Sequence, residues 1–184
     1  MPISAASSLP SISILTKKIE RKRKNVYDYG KEAKKLSEVE INDKFKYTKS
    51  GKLFVLFDTG ADDPNRIITL GTEDKIRLLN SEIIWFIYGT FEVSPQPFKQ
   101  LFSVNLNKNN RNLPCVYGLL PNKQEETFDK FFNLLSPYLT KRQNYILCDY
   151  EKAIIKSVGK YFRGTNVCGC YFHLAANIWK HVSN

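Results

Sequence analysis

Residues 83–91 read Ile83-Ile84-Trp85-Phe86-Ile87-Tyr88-Gly89-Thr90-Phe91, and the fold turns on this stretch. A run that is apolar at odd and even positions alike suits a strand covered on both faces better than one half open to water. It predicts the central strand of a sheet, closing at Tyr88. Downstream, Phe98 to Leu106 and Leu113 to Leu120 are strand-like runs joined by LNKNNRN, a polar connection short enough for an antiparallel hairpin. The period then changes. Phe128, Phe131, Phe132, Leu135 and Leu139 recur at steps of three or four, which predicts a helix with Asn122 and Glu125 as a capping pair at its start. Tyr145 to Cys148 is the next apolar strand, Tyr150 to Phe162 a helix stopping near Gly164, Asn166 to Phe172 a further strand, and Leu174 to Val182 a last helix. Upstream, Lys52 to Phe57 and Arg66 to Leu70 predict short strands around a polar turn, and Glu73 to Asn80 a short helix.

From Ile83 onward the order is β-β-β-α-β-α-β-α. It predicts an α/β fold with a mixed sheet, in which a right-handed crossover returns the fourth strand beside the first. Tyr88 and Asp149 close those two strands. They then stand side by side at the carboxyl edge, where open α/β sheets place their ligands.

The 184 residues suffice for one sizeable core. With 42% hydrophobic and 25% charged residues the chain is neither disordered in bulk nor membrane-like, and no apolar run is long enough to span a bilayer. The net charge of +10 favours a polyanionic partner. Its distribution is uneven: residues 1–50 form a basic segment expected to be largely disordered, and residues 51–184 the folded domain. Segment 17–35 carries nine basic and three acidic residues. Its Lys17, Lys18, Arg21, Lys22, Arg23 and Lys24 suit a nuclear-localisation patch or an arm binding DNA phosphates non-specifically, although a plain solvated helix or linker has the same composition. Residues 1–16 lack the basic and long apolar regions of a secretion signal and read as a disordered leader. Cys115, Cys148, Cys168 and Cys170 are few for the length and are expected to be reduced, in an intracellular compartment.

Five pieces together carry a resemblance: LFDTGADDPNRIITLGT (56–72), IIWFIYGTFEVSPQPFKQLFSV (83–104), PCVYGLLPNKQEETFDKFF (114–132), CDYEKAIIKSV (148–158) and GCYFHLAANIWKHV (169–182). In this order and spacing they resemble the transposase domain of Mutator-like elements (MULE), a branch of the ribonuclease H-like DDE transposases. The resemblance implies a ribonuclease H-like mixed sheet, incomplete at its C-terminus. It also implies an ancestral role in transposition, by metal-dependent cleavage and transfer of DNA strands.

In that family one carboxylate within Asp-Gly-Thr-Phe, a second at the end of the fourth strand and a distant glutamate hold Mg²⁺ or Mn²⁺. Two ions about 3.5–4 Å apart need hard anionic oxygens from several elements. Asp149 matches the second carboxylate. Tyr88 stands where the first is expected, and a neutral phenol is a poor ligand for such an ion. Glu92 lies beyond what reads as a Gly-Thr turn, and the family's third carboxylate falls after Asn184. The resemblance therefore implies a truncated, catalytically inactive derivative; a host-retained protein that binds DNA or another protein without cutting is the alternative.

Asp149 also reads as a helix N-cap. Cys170 and His173 are candidate Zn²⁺ ligands, matching the family's Cys-x-x-His, but a tetrahedral site needs further ligands and Cys168 is expected on the opposite strand face. Packing of Cys170 and a hydrogen-bonded His173 is the expected role. Trp85, Trp179 and the periodic phenylalanines are assigned to the core. The last helix presents whatever of Ile178, Trp179 and Val182 the sheet leaves open, which makes self-association a further expectation.

Overall fold

The computed structural model describes residues 11–26, 33–109, 111–140 and 143–182. Contacts divide the chain into two units, residues 1–32 and 33–184. Residues 33–50, grouped by composition with the basic segment, thus fall in the second unit. The first unit holds helix α1 (Ile12–Val26). The Ser11 carbonyl accepts the Ile14 and Leu15 amides at 2.9 and 3.0 Å, so residues 12–16 are helical where a disordered leader was expected. Lys17, Lys18, Arg21 and Lys22 are exposed on α1, which also contains Arg23 and Lys24. Residues 1–10 and 27–32, and with them the rest of the leader and of the basic segment, lie outside the described residues.

The second unit is a mixed α/β layer structure. Its seven strands are β1 (Val55–Asp58), β2 (Ile68–Gly71), β3 (Ile84–Thr90), β4 (Gln100–Lys108), β5 (Arg111–Leu120), β6 (Tyr145–Cys148) and β7 (Asn166–Gly169). They form one sheet in the order β1-β2-β5-β4-β3-β6-β7. Pairing is antiparallel from β1 across to β3 and parallel between β3, β6 and β7. The helices are α2 (Asp43–Lys46), α3 (Glu73–Ser81), α4 (Glu125–Leu135), α5 (Lys152–Tyr161) and α6 (Tyr171–Val182).

The β4–β5 hairpin turns at Asn109, whose φ of 53° lies in the left-handed region that Asn tolerates. Its ladder slips where Val104 faces Val116 but Asn105 faces Pro114, leaving Cys115 as the extra residue of a bulge. Pro114 has no amide to give the ladder, and a bulge accommodates it. Helix α4 stops at Leu135 because Pro137 opens a 3₁₀ turn over Ser136–Tyr138. Asn122 does sit at the α4 start, yet its Oδ1 accepts from the Gln124 amide and the Thr127 hydroxyl, at 2.9 and 2.7 Å, not from a pairing with Glu125.

Trp85 and Ile87 of β3 are fully buried with Phe102, Val104 and Leu106 of β4, against Phe128, Phe131 and Phe132 of α4 and Ile154 and Val158 of α5. Each such side chain contributes about 1.5–3 kcal/mol by leaving water. The opposite face of β3 carries Phe86 and Tyr88, which are only half-buried. The two-sided cover expected of this strand is therefore one-sided, because α4 and α5 both feed the same cluster. Trp85 meets its assignment to the core; Trp179 does not, being 73% exposed on α6 with Ile178 and Val182 at 54% and 76%.

Candidate functional site

Parallel pairing of β3 with β6 runs from Ile84↔Tyr145 to Ile87↔Cys148. The next residue on each strand is Tyr88 and Asp149, so the crossover brings these two together at the carboxyl edge, as the chain order predicts. Backbone pairing of β6 with β7 continues one step further, the Cys170 amide donating to the Cys148 carbonyl at 2.9 Å. Strand β7 ends at Gly169 and α6 begins at Tyr171. The strand expected to reach Phe172 is thus shorter, and Cys170 sits in the joint between strand and helix. Gly169 leaves room there for the Tyr150 ring, which a Cβ would meet at 2.1 Å.

The joint delivers the first turn of α6 to the strand ends. His173 Nδ1 lies 2.5 Å from Asp149 Oδ1. The two atoms meet without the alignment of a hydrogen bond. Asp149 is consequently not the helix cap its local sequence suggests; Glu151 holds that position on α5, without a side-chain cap bond. The Tyr88 ring stands 5.9 Å from the His173 ring and stacks on Phe86 at 6.5 Å.

Electrostatics follow from this crowding. Burial, reinforced by Cys170, Asp149 and Cys148, pushes the Tyr88 phenol up to about 12, so it is neutral at physiological pH. Burial also raises the Asp149 carboxyl above its usual range, with His173 pulling the other way. The Cys148 thiol is pushed up to about 11, chiefly by desolvation, and stays protonated. Glu151, which sequence reasoning passed over, is raised by burial and by the nearby Asp149, and lies 3.9 Å from Lys123. Lys123 also reaches over the Phe91 ring at 5.6 Å. No local signal marks Glu151 or Lys123 in the sequence, because their proximity comes from the crossover.

Gly89 and Thr90 remain in β3, paired with Phe102 and Leu101, so no turn follows Tyr88. Gly89 is held there by its lack of a side chain: a Cβ would lie 1.8 Å from Nε2 of the buried Gln100. Glu92 falls in the exposed turn beyond.

The donor set does not suit a divalent ion of the kind the resemblance implies. It offers Asp149, already faced by an imidazole, and Glu151, facing Lys123, beside a neutral phenol and protonated thiol. Among the described residues no three His, Cys, Asp or Glu side chains group to hold a metal. What the arrangement does is tie α6 to the ends of β3 and β6.

No curated protein matches the chain. A family model described as MULE transposase domain matches residues 84–177, just over half its length, from the first residue of β3 into α6, and the span includes Tyr88, Asp149, Cys170 and His173.

Proposed function

The chain belongs to the MULE transposase domain family, and from that premise we propose that it is a transposase-derived protein that binds DNA without cutting it. The observation that carries this is Tyr88, a neutral phenol in β3 one residue past its pairing with β6, beside the Asp149 carboxylate. The ribonuclease H-like assignment is supported by the strand order β5-β4-β3-β6-β7 and by the parallel return of β6 beside β3. In such a site, carboxylates from the two strand ends would have to share the ions that activate water and stabilise the leaving oxygen. Here the β3 position beside Asp149 is the neutral Tyr88.

DNA binding is supported by the net charge of +10 and by the exposed Lys17, Lys18, Arg21 and Lys22 on α1. Clustered cations bind phosphates by releasing counterions, without reading sequence. The same cluster supports a nuclear location, tested by fusing residues 1–35 to a fluorescent protein.

The deciding experiment incubates the purified chain with supercoiled and linear DNA in Mg²⁺ or Mn²⁺. Retention of DNA on a gel without nicking is the expected result. Nicking that disappears in Asp149→Ala would overturn the proposal.

Protein binding is a second reading, favoured by α6. Tyr171, Ile178, Trp179 and Val182 are all exposed, more apolar surface than one helix usually leaves in water.

A further inference from the structure

Residues 43–53 read Asp43-Lys44-Phe45-Lys46-Tyr47-Thr48-Lys49-Ser50-Gly51-Lys52-Leu53. Composition alone suggests a solvated tail, yet the backbone is tied into a hairpin. Asn42 caps the one-turn α2 by accepting the Lys44 amide. Tyr47 pairs antiparallel with Leu53. The Thr48 amide donates to the Lys52 carbonyl at 2.8 Å, and the Gly51 amide to the Thr48 carbonyl at 2.9 Å, with Gly51 at φ 78°. The Phe54 amide donates to the Lys46 carbonyl, and the Gly71 amide to the Phe54 carbonyl, both at 2.7 Å, which fixes the hairpin to the sheet at the end of β2.

What this scaffold displays is unusual for a loop. Phe45, Tyr47 and Leu53 are 43%, 52% and 53% exposed, interleaved with four lysines. Lys44 lies over the Phe45 ring at 5.2 Å. Lys46 pairs with Asp43 at 2.8 Å, and Lys52 with Asp74. Both pairs are solvent-exposed, so they are worth little and a phosphate can displace the carboxylate. Lys49 has no ion-pair partner among the described residues. Lysines beside an edge strand also guard against sheet-to-sheet aggregation. That role accounts for the charge; it does not by itself explain why the half-exposed rings of Phe45 and Tyr47 alternate with the lysines.

We propose that the hairpin of residues 43–53 is a binding surface for single-stranded DNA, with Phe45 and Tyr47 stacking on bases and Lys44, Lys46, Lys49 and Lys52 contacting phosphates. Rings alternating with cations suit a strand whose bases are free to turn outward; in a duplex the base faces are stacked away. The inference rests on the DNA-binding reading above and gives it a second contact, within the folded unit. Each stacked ring is worth roughly thirtyfold in affinity, the equivalent of about 2 kcal/mol. Four single-strand phosphate contacts add about −3 to the slope of log affinity against log salt.

The test uses the full chain and two fluorescent probes, an oligo-dT strand and a duplex of equal length, read by anisotropy. Phe45→Leu with Tyr47→Leu keeps apolar bulk but removes the ring faces. Oligo-dT affinity should fall at least tenfold while duplex affinity changes less than twofold. Lys44, Lys46, Lys49 and Lys52→Gln should flatten the oligo-dT salt slope by about 3. Lys49 has no ion-pair partner to lose among the described residues, so Lys49→Glu keeps the test decisive if the leucine pair disturbs the hairpin; it should weaken oligo-dT binding several-fold. Unchanged oligo-dT affinity in the leucine and Lys49→Glu variants, or equal weakening of both probes by the leucine pair, overturns the hairpin proposal alone. Failure of the natural chain to bind either probe at low salt overturns the DNA-binding reading with it.

Discussion

Asp58→Asn tests how residues 33–40 are held to the sheet ahead of the lysine-rich hairpin. Arg66 is almost enclosed, its side chain 6% exposed against 25% for Asp58. Its Nε and Nη2 donate to the two Asp58 oxygens at 2.7 and 2.6 Å, and Nη1 donates to the carbonyls of Leu36 and Val39, both at 2.9 Å. One guanidinium thus pins both a β1 carboxylate and the 3₁₀ turn at Leu36–Glu38. Asparagine keeps the shape but removes the charge and turns an amide toward one donor. Breaking a buried ion pair from one side costs about 3–5 kcal/mol; with a quarter of Asp58 in water, about 2–3 kcal/mol is the expected loss. At roughly 2–4 °C per kcal/mol for a domain of this size, Tm should fall by about 4–12 °C, read by circular dichroism at pH 7. Arg66 holds the Asp58 carboxyl below its usual value. Stability from a depressed carboxyl is fully present above the unfolded value, about 3.9, and is lost as pH falls through the folded one. The gap between natural and variant chains should therefore be constant from pH 7 to about 5 and narrow below pH 4. A Tm shift under about 1 °C, or a gap as wide at pH 3 as at pH 7, would show that the pair is not the fastening it looks like.

Tyr88→Asp alone should not produce metal-dependent nicking, since it leaves Asp149 facing His173; a plasmid-nicking assay in Mn²⁺ checks this. Deleting residues 17–35 should weaken duplex binding at low salt and flatten its salt slope by about 0.9 for each phosphate the segment neutralises, measured by anisotropy across a salt series. Gly118→Ala should lower Tm because the added Cβ would meet the buried Phe131 ring at 2.7 Å, whereas Gly159→Ala, with open space inside α5, should raise stability by about 0.5–1 kcal/mol. Trp179→Glu should reduce self-association seen by size-exclusion with light scattering, because Trp179 is 73% exposed among apolar neighbours on α6.

The register of β3 against β6 could be read from the chain because two rules of long reach apply to it. Crossovers between parallel strands are right-handed, and the apolar runs of β3 and β6 break at Tyr88 and Asp149, which the pairing to Ile87↔Cys148 brings side by side. The α4 periodicity was equally legible, since Phe128, Phe131, Phe132 and Leu135 all pack into one cluster. Local rules failed where a distant side chain decides. Gly89 looks like the start of a turn until Gln100 is seen filling the space its Cβ would need. Asp149 looks like a helix cap until α6 brings His173 to it. Trp179 looks like core by composition, yet residue type does not say which face of α6 meets the sheet. The hairpin at 43–53 shows the same limit from the other side. Its lysines mark it as solvated, and they are, but order comes from amides at Thr48, Gly51, Phe54 and Gly71 whose partners no composition count can supply. Backbone bonds supply most of that order, with the Thr48 hydroxyl accepting the Lys52 amide as a side-chain fastening. Lys49, outside those bonds, is then the position whose replacement reports most directly on recognition.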